Sequence, residues 1–184
     1  NYLDKNVQSG CDYKYTVISR NILGGATYNK DGVSISYVAS PESKTTNSDK
    51  GIKVAWSKVN GATGYTVYRS QYLGGKWSSW KNMGTAKNTK SSWVDKSVQS
   101  GGTYRYAVRA RINKTKSSYK STSALTFLGL PQVKIANTKQ GMNVKWEAIP
   151  GALNYRVYRS QYSGGKWSSW ECLNKKVNTT VFTD

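Results

Sequence analysis

Histidine is absent from this chain, and acidic residues are scarce, with 9 Asp and Glu in 184 residues. The first absence removes the commonest general base and metal ligand. The second leaves few carboxylates for acid–base work, and those present lie near turns and strand ends, with no pair the sequence brings together. Two cysteines are too few to hold a structural zinc and have no histidine to activate them. No glycine-rich loop opens onto a helix, so a phosphate cradle is missing too. An enzyme, a resident metal and a bound cofactor are therefore not expected. Proline occurs 3 times and phenylalanine twice. No apolar run approaches the roughly 18 residues of a membrane span, so membrane insertion is not expected. The amino terminus lacks the basic-then-apolar pattern of a secretion signal, and residues 1–184 read as a mature or excised segment.

What the chain has is positive charge, tyrosine, tryptophan and repetition. Lys and Arg number 28, for a net charge of +19, which draws the chain toward anionic surfaces. The charge is uneven: residues 43–132 hold 16 Lys/Arg against 2 Asp/Glu, residues 1–42 hold 4 of each, and residues 133–184 hold 8 against 3. The repetition is clearest in Tyr68-Arg69-Ser70-Gln71-Tyr72-Leu73-Gly74-Gly75-Lys76-Trp77-Ser78-Ser79-Trp80. It returns as Tyr158 to Trp170 with 12 of 13 positions identical. A period of this size marks a module used more than once.

The module boundaries follow from matching segments. Trp93-Val94-Asp95 matches both Tyr2-Leu3-Asp4 and the closing Val181-Phe182-Thr183-Asp184, while Tyr104 to Ala110 repeats the pattern of Tyr13 to Ser19. Residues 43–132 thus form one complete module. Residues 1–42 are the back half of another and residues 133–184 the front half of a third. Alternation at Ile52, Val54 and Trp56 and at Tyr65 and Val67, with turn signals every 8–12 residues and no helical period, predicts antiparallel β-sandwiches. Lys120 to Phe127 is expected to be the last strand of the complete module.

Trp56, Tyr65-x-Val67-x-Arg69 and Gly102-Thr103-Tyr104-x-Tyr106-x-Val108-x-Ala110 resemble the fibronectin type III family. The resemblance implies seven-stranded antiparallel sandwiches. Because the two halves add up to one module, the expectation is two such sandwiches, one completed from 1–42 and 133–184; the alternative is a segment cut from a longer array with two unpaired thiols. The resemblance also implies a core role for Trp56, a Tyr104 that ties down the loop before its strand, and tandem modules of secreted or cell-surface bacterial proteins. The Arg-Gly-Asp tripeptide that some animal members use on integrins is missing. In the halves, Cys11 stands where the complete module has Gly102, and Cys172 where it has Asn82. Pairing of 1–42 with 133–184, within a chain or between chains, would allow a Cys11–Cys172 disulfide if one segment bends in to bring the Cα atoms within about 7 Å.

Pairing about Gly74-Gly75 sets Tyr72 opposite Trp77 and Arg69 opposite Trp80. With Tyr65 and Val67 inward, Tyr68, Ser70, Tyr72 and Trp77 face outward beside Arg105 and Arg109 of the neighbouring strand, and Arg69 and Trp80 cover the edge of the core. The second copy presents Tyr158, Tyr162 and Trp167. Aromatic anchors beside arginines resemble a binding hot spot, and the same residues also satisfy a plain cross-strand pair with arginines stacked on it. The expectation is a non-catalytic bacterial surface adhesin that takes a host protein, an immunoglobulin among them, on this face. A glycan or anionic-polymer binder and a structural spacer are the alternatives. Nucleic acid binding has charge and aromatics in its favour but no reading motif.

Overall fold

A computed structural model describes residues 1–184 and consists of strands, turns and loops. No helix is long and apolar enough to cross a membrane. The complete module is a sandwich. One sheet orders Ser92–Asp95, Gly51–Trp56 and Ser43–Ser48. The other is centred on Gly64–Leu73, which pairs antiparallel with Thr103–Ile112 on one side and with Lys76–Trp77 and Lys81–Lys87 on the other. This is the all-β antiparallel sandwich expected from the alternating pattern, and it agrees with what the resemblance implies.

Period-two alternation builds the core. Ile52, Val54 and Trp56 of the first sheet meet Tyr65, Val67, Tyr106, Val108 and Ala110 of the second in a cluster of 12 buried residues. Burying each valine or isoleucine there contributes about 1.5–3 kcal/mol. The Tyr104 hydroxyl accepts the Gln99 backbone N–H at 3.0 Å, fixing the loop before its strand as the resemblance implies. Tyr13 repeats the bond with Gln8 at 2.7 Å.

The last strand is not continuous. Only Leu125–Thr126 and, at the far end, Thr115–Lys116 pair regularly with Thr103–Ile112, and a lone bridge joins Ala107 to Ser121. Between them, hydroxyls take over half of each pair: Ser117 N and Thr122 N still donate to Ala110 O and Tyr106 O at 2.8 Å, but Ser117 Oγ accepts from Ala110 N and Thr122 Oγ1 from Tyr106 N, each at 3.0 Å. A serine or threonine side chain that takes over a main-chain bond lets the strand leave the sheet locally.

The flanking halves keep to sheets of their own. Asp12–Tyr15 pairs with Val33–Ser36. In the other half, Val133–Thr138, Gly141–Trp146 and Val181–Thr183 form one sheet and Tyr155–Arg159 pairs with Glu171–Val177. No strand of 1–42 pairs with a strand of 133–184, and Cys11 and Cys172 are free thiols. Completion within one chain and the disulfide that would accompany it are thus not what the chain adopts.

The reason is geometric. The back half meets the complete module at its Asn60-Gly61 turn, beside the Gly64–Arg111 pair, and the front half meets it at Ser100-Gly101, beside the Thr103–Tyr72 pair. Those pairs close opposite ends of one ladder, roughly 25 Å apart at the usual strand rise. The order is linear, with the complete module between the halves.

Candidate functional site

The two glycines of the hairpin have φ of +54° and +80°, the pair of left-handed residues that a two-residue turn of matching twist requires. They set Tyr72 opposite Trp77 as expected, with ring centres 5.3 Å apart. In the second copy Tyr162 and Trp167 are paired in the same way, also at 5.3 Å.

Past Trp77 the register slips. Ser78 N donates to Gln71 O at 2.9 Å, Gln71 N donates back to Ser78 Oγ at 3.0 Å, and Ser70 Oγ donates to Ser78 O at 2.7 Å. Regular pairing resumes with Arg69 opposite Lys81, not Trp80. One extra residue is thereby absorbed, and an odd shift sends the following side chain to the other face. Trp80, expected at the edge of the core, turns instead to the outer face. Ser160, Gln161 and Ser168 repeat these bonds in the second copy.

The displaced tryptophan completes a stack. The Arg105 guanidinium lies 4.3 Å from the Trp77 ring centre and 5.1 Å from that of Trp80. Trp80 meets Tyr119 edge-on at 5.7 Å, and the Arg109 guanidinium lies 5.9 Å from the Tyr119 ring centre while its Nε donates to Ser117 O. Across the outer face the pair Tyr72 and Trp77 is thus followed by Arg105, and the pair Trp80 and Tyr119 by Arg109, each contact contributing about 0.5–2 kcal/mol. Beneath them Tyr68 is half-buried and, with Trp80, Ala107, Arg109 and Tyr119, lines a hollow of about 180 Å³.

Tyr68, Tyr72, Trp77, Arg105 and Arg109 therefore share one face, and Trp80 and Tyr119 join them, whereas Ser70, also expected outward, is fully buried under its bond to Ser78 O. Trp80 had a signal, its retention in both copies; Tyr119 lies in a basic stretch without alternation and had none. In the second copy Tyr158, Tyr162 and Trp167 are exposed, and residues 133–184 contain no strand that could lay an arginine over them. There Trp167 and Trp170 are 68 % and 73 % exposed.

Arg69 is committed elsewhere. It donates to Asp95 at 2.8 Å, and Asp95 also accepts from the Tyr106 hydroxyl at 2.9 Å, Ser97 N at 2.9 Å and Ser97 Oγ at 2.7 Å. Burial alone would push the Asp95 carboxyl up, but the bonds from Ser97, Arg69 and Tyr106 outweigh it and hold the carboxyl below its usual value. Burial and the Asp95 carboxylate push the Tyr106 phenol well up. The acid is scaffold. No group of three or more His, Cys, Asp or Glu side chains gathers as a metal site.

No family model matches the chain, and no curated protein matches it. Among solved structures it is similar to a Fn3-like protein from Clostridium thermocellum, with 22 % identity, a TM-score of 0.39, and 52 % of this chain and 95 % of that one covered. It is also similar to the FN1-FN3 domains of chicken CNTN1, with 14 % identity, a TM-score of 0.42, and 95 % and 65 % covered. A third is the twitchin kinase region from C. elegans, with 14 % identity, a TM-score of 0.40, and 65 % and 21 % covered.

Proposed function

We propose that the chain is a non-catalytic, extracellular binding array, an adhesin that takes a protein partner on its hairpins and the basic face beside them. If the array stands on a bacterial surface, as its resemblance implies, the partner is a host protein such as an immunoglobulin. The observation that carries this reading is the hairpin itself. Two copies hold a tyrosine and a tryptophan at the same 5.3 Å, and Tyr72, Tyr162 and Trp167 are exposed. Rigid aromatic anchors beside arginine are what protein interfaces concentrate at their centres.

Charge favours a second reading. The 16 Lys/Arg against 2 Asp/Glu of residues 43–132 suit an acidic glycan or other anionic polymer, with Tyr72 and Trp77 stacking on sugar rings.

A pull-down from serum and mucosal secretions, comparing the natural chain with Tyr72→Ala/Trp77→Ala/Trp167→Ala, tests both. A protein captured by the natural chain and lost by the triple variant, with binding that tolerates salt, supports the adhesin. Steep loss with salt supports the polymer, capture that ignores the three substitutions moves the site off the hairpins, and no capture leaves the glycan binder and the spacer.

A further inference from the structure

Neighbouring modules meet through one contact, made twice. Ser9 Oγ donates to Asn60 O at 2.9 Å and accepts from Ala39 N at 3.1 Å. At the next junction Ser100 Oγ donates to Pro150 O at 3.1 Å and accepts from Gly129 N at 2.9 Å. Each hydroxyl therefore fastens three pieces: the loop of one module, the linker, and the turn between the second and third strands of the next.

Glycines let the backbones close. A Cβ on Gly61 would lie 2.5 Å from Gly10 Cα, and one on Gly151 would lie 2.8 Å from Gly101 Cα. A side chain at either place forces the modules apart.

The first linker has no slack. Val38 is buried in the core cluster of the complete module, and Pro41 is fully buried. The ordinary expectation for modules joined through a small interface is relative motion. At the first junction the connecting residues are themselves packed, and at both junctions a hydroxyl bond ties the linker to the loop before it.

We infer that the Ser-Gly loop is a docking surface for the X-Gly turn of the following module, and that it makes the array a rod. The junctions differ in two respects: at the first Asn60 Nδ2 adds a bond to Ser9 O at 3.2 Å, and at the second the linker is more open, with Leu130 61 % exposed. The inference is independent of what the hairpins bind.

Distances between spin labels test it. In a chain whose Cys11 and Cys172 are replaced by serine, Ser34→Cys and Lys134→Cys place labels on exposed strand residues of the two flanking halves. The expected result is one narrow distance distribution. It widens severalfold in Ser9→Ala/Ser100→Ala and in Gly61→Ala/Gly151→Ala, while thermal melting still shows a folded complete module. Gly74→Ala controls for the strain of a side chain at positive φ, since φ is +54° there and a Cβ would meet nothing within 4 Å; its distribution stays narrow. A broad distribution in the parent chain, or one that both paired variants leave narrow, overturns the inference.

Discussion

The complete module and its flanking halves run the same sequence pattern in different surroundings. Tyr106 gives its hydroxyl to Asp95 and is wholly buried; Tyr15 gives its own to Asp4 at the same 2.9 Å and is 41 % exposed. Arg69 meets Asp95 where the acid is 1 % exposed, whereas Arg159 divides itself between Asp184 and Glu171 near the surface. The stack over Trp77 is closed by Arg105, and Trp167 stands bare. Local pattern sets which bond forms; the opposing sheet sets whether that bond is dry.

The largest expected break in this parallel comes from the acid. Asp95→Ala leaves the guanidinium of Arg69 without its partner at a site largely closed to water, and should cost the complete module about 3–5 kcal/mol in urea unfolding. Asp184→Ala should leave that transition where it is. The acid also sets a pH dependence. The Asp95 carboxyl is held below its ordinary value of 3.8 in the folded chain. Its contribution is therefore complete above that value and lost as pH falls through the lower folded one. Melting temperatures taken from neutral to strongly acidic pH should drop for the natural chain, and Asp95→Asn should flatten that acid limb.

The stack supplies a smaller difference. Arg105→Ala removes the cation between Trp77 and Trp80 and should cost about 1–2 kcal/mol. It should also make Trp77 as open to acrylamide quenching as Trp167. Arg105→Lys should recover part of the stability, since an ammonium keeps the charge but loses the flat stacking surface. Smaller still is Tyr104→Phe. It leaves the Gln99 N–H without its acceptor and should lower the complete module's stability by about 1 kcal/mol. Tyr13→Phe, in the open half, should lower that half's amide protection and leave the complete module's transition in place.

Sequence sufficed for what alternation and turns control. The inward Ile52, Val54, Tyr65 and Val67 and the Tyr72–Trp77 pairing follow from period-two pattern and glycine pairs, and the Tyr104 anchor follows from the family resemblance. Trp80 did not, because the serine bonds at Ser78 add one residue to the strand and a shift of one reverses a face. The broken last strand escaped for the same cause, since Ser117 and Thr122 replace main-chain partners and carry no mark that distinguishes them from other hydroxyls. Asp95 could have been found: with so few acids in the chain, Asp4, Asp95 and Asp184 recur at matching places. Ser9 and Ser100 look like ordinary loop serines until the turn of the next module is seen against them.

The placement of those two serines bears on how such an array changes over generations. Both sides of each junction, the Ser-Gly loop and the X-Gly turn, lie inside the repeating unit. Unequal recombination that inserts or deletes a whole unit recreates a proper joint at the seam, so the gene can lengthen or shorten its product without inventing a new contact. An exchange cut to any other length would separate a serine from its turn, and selection for a straight array would remove it.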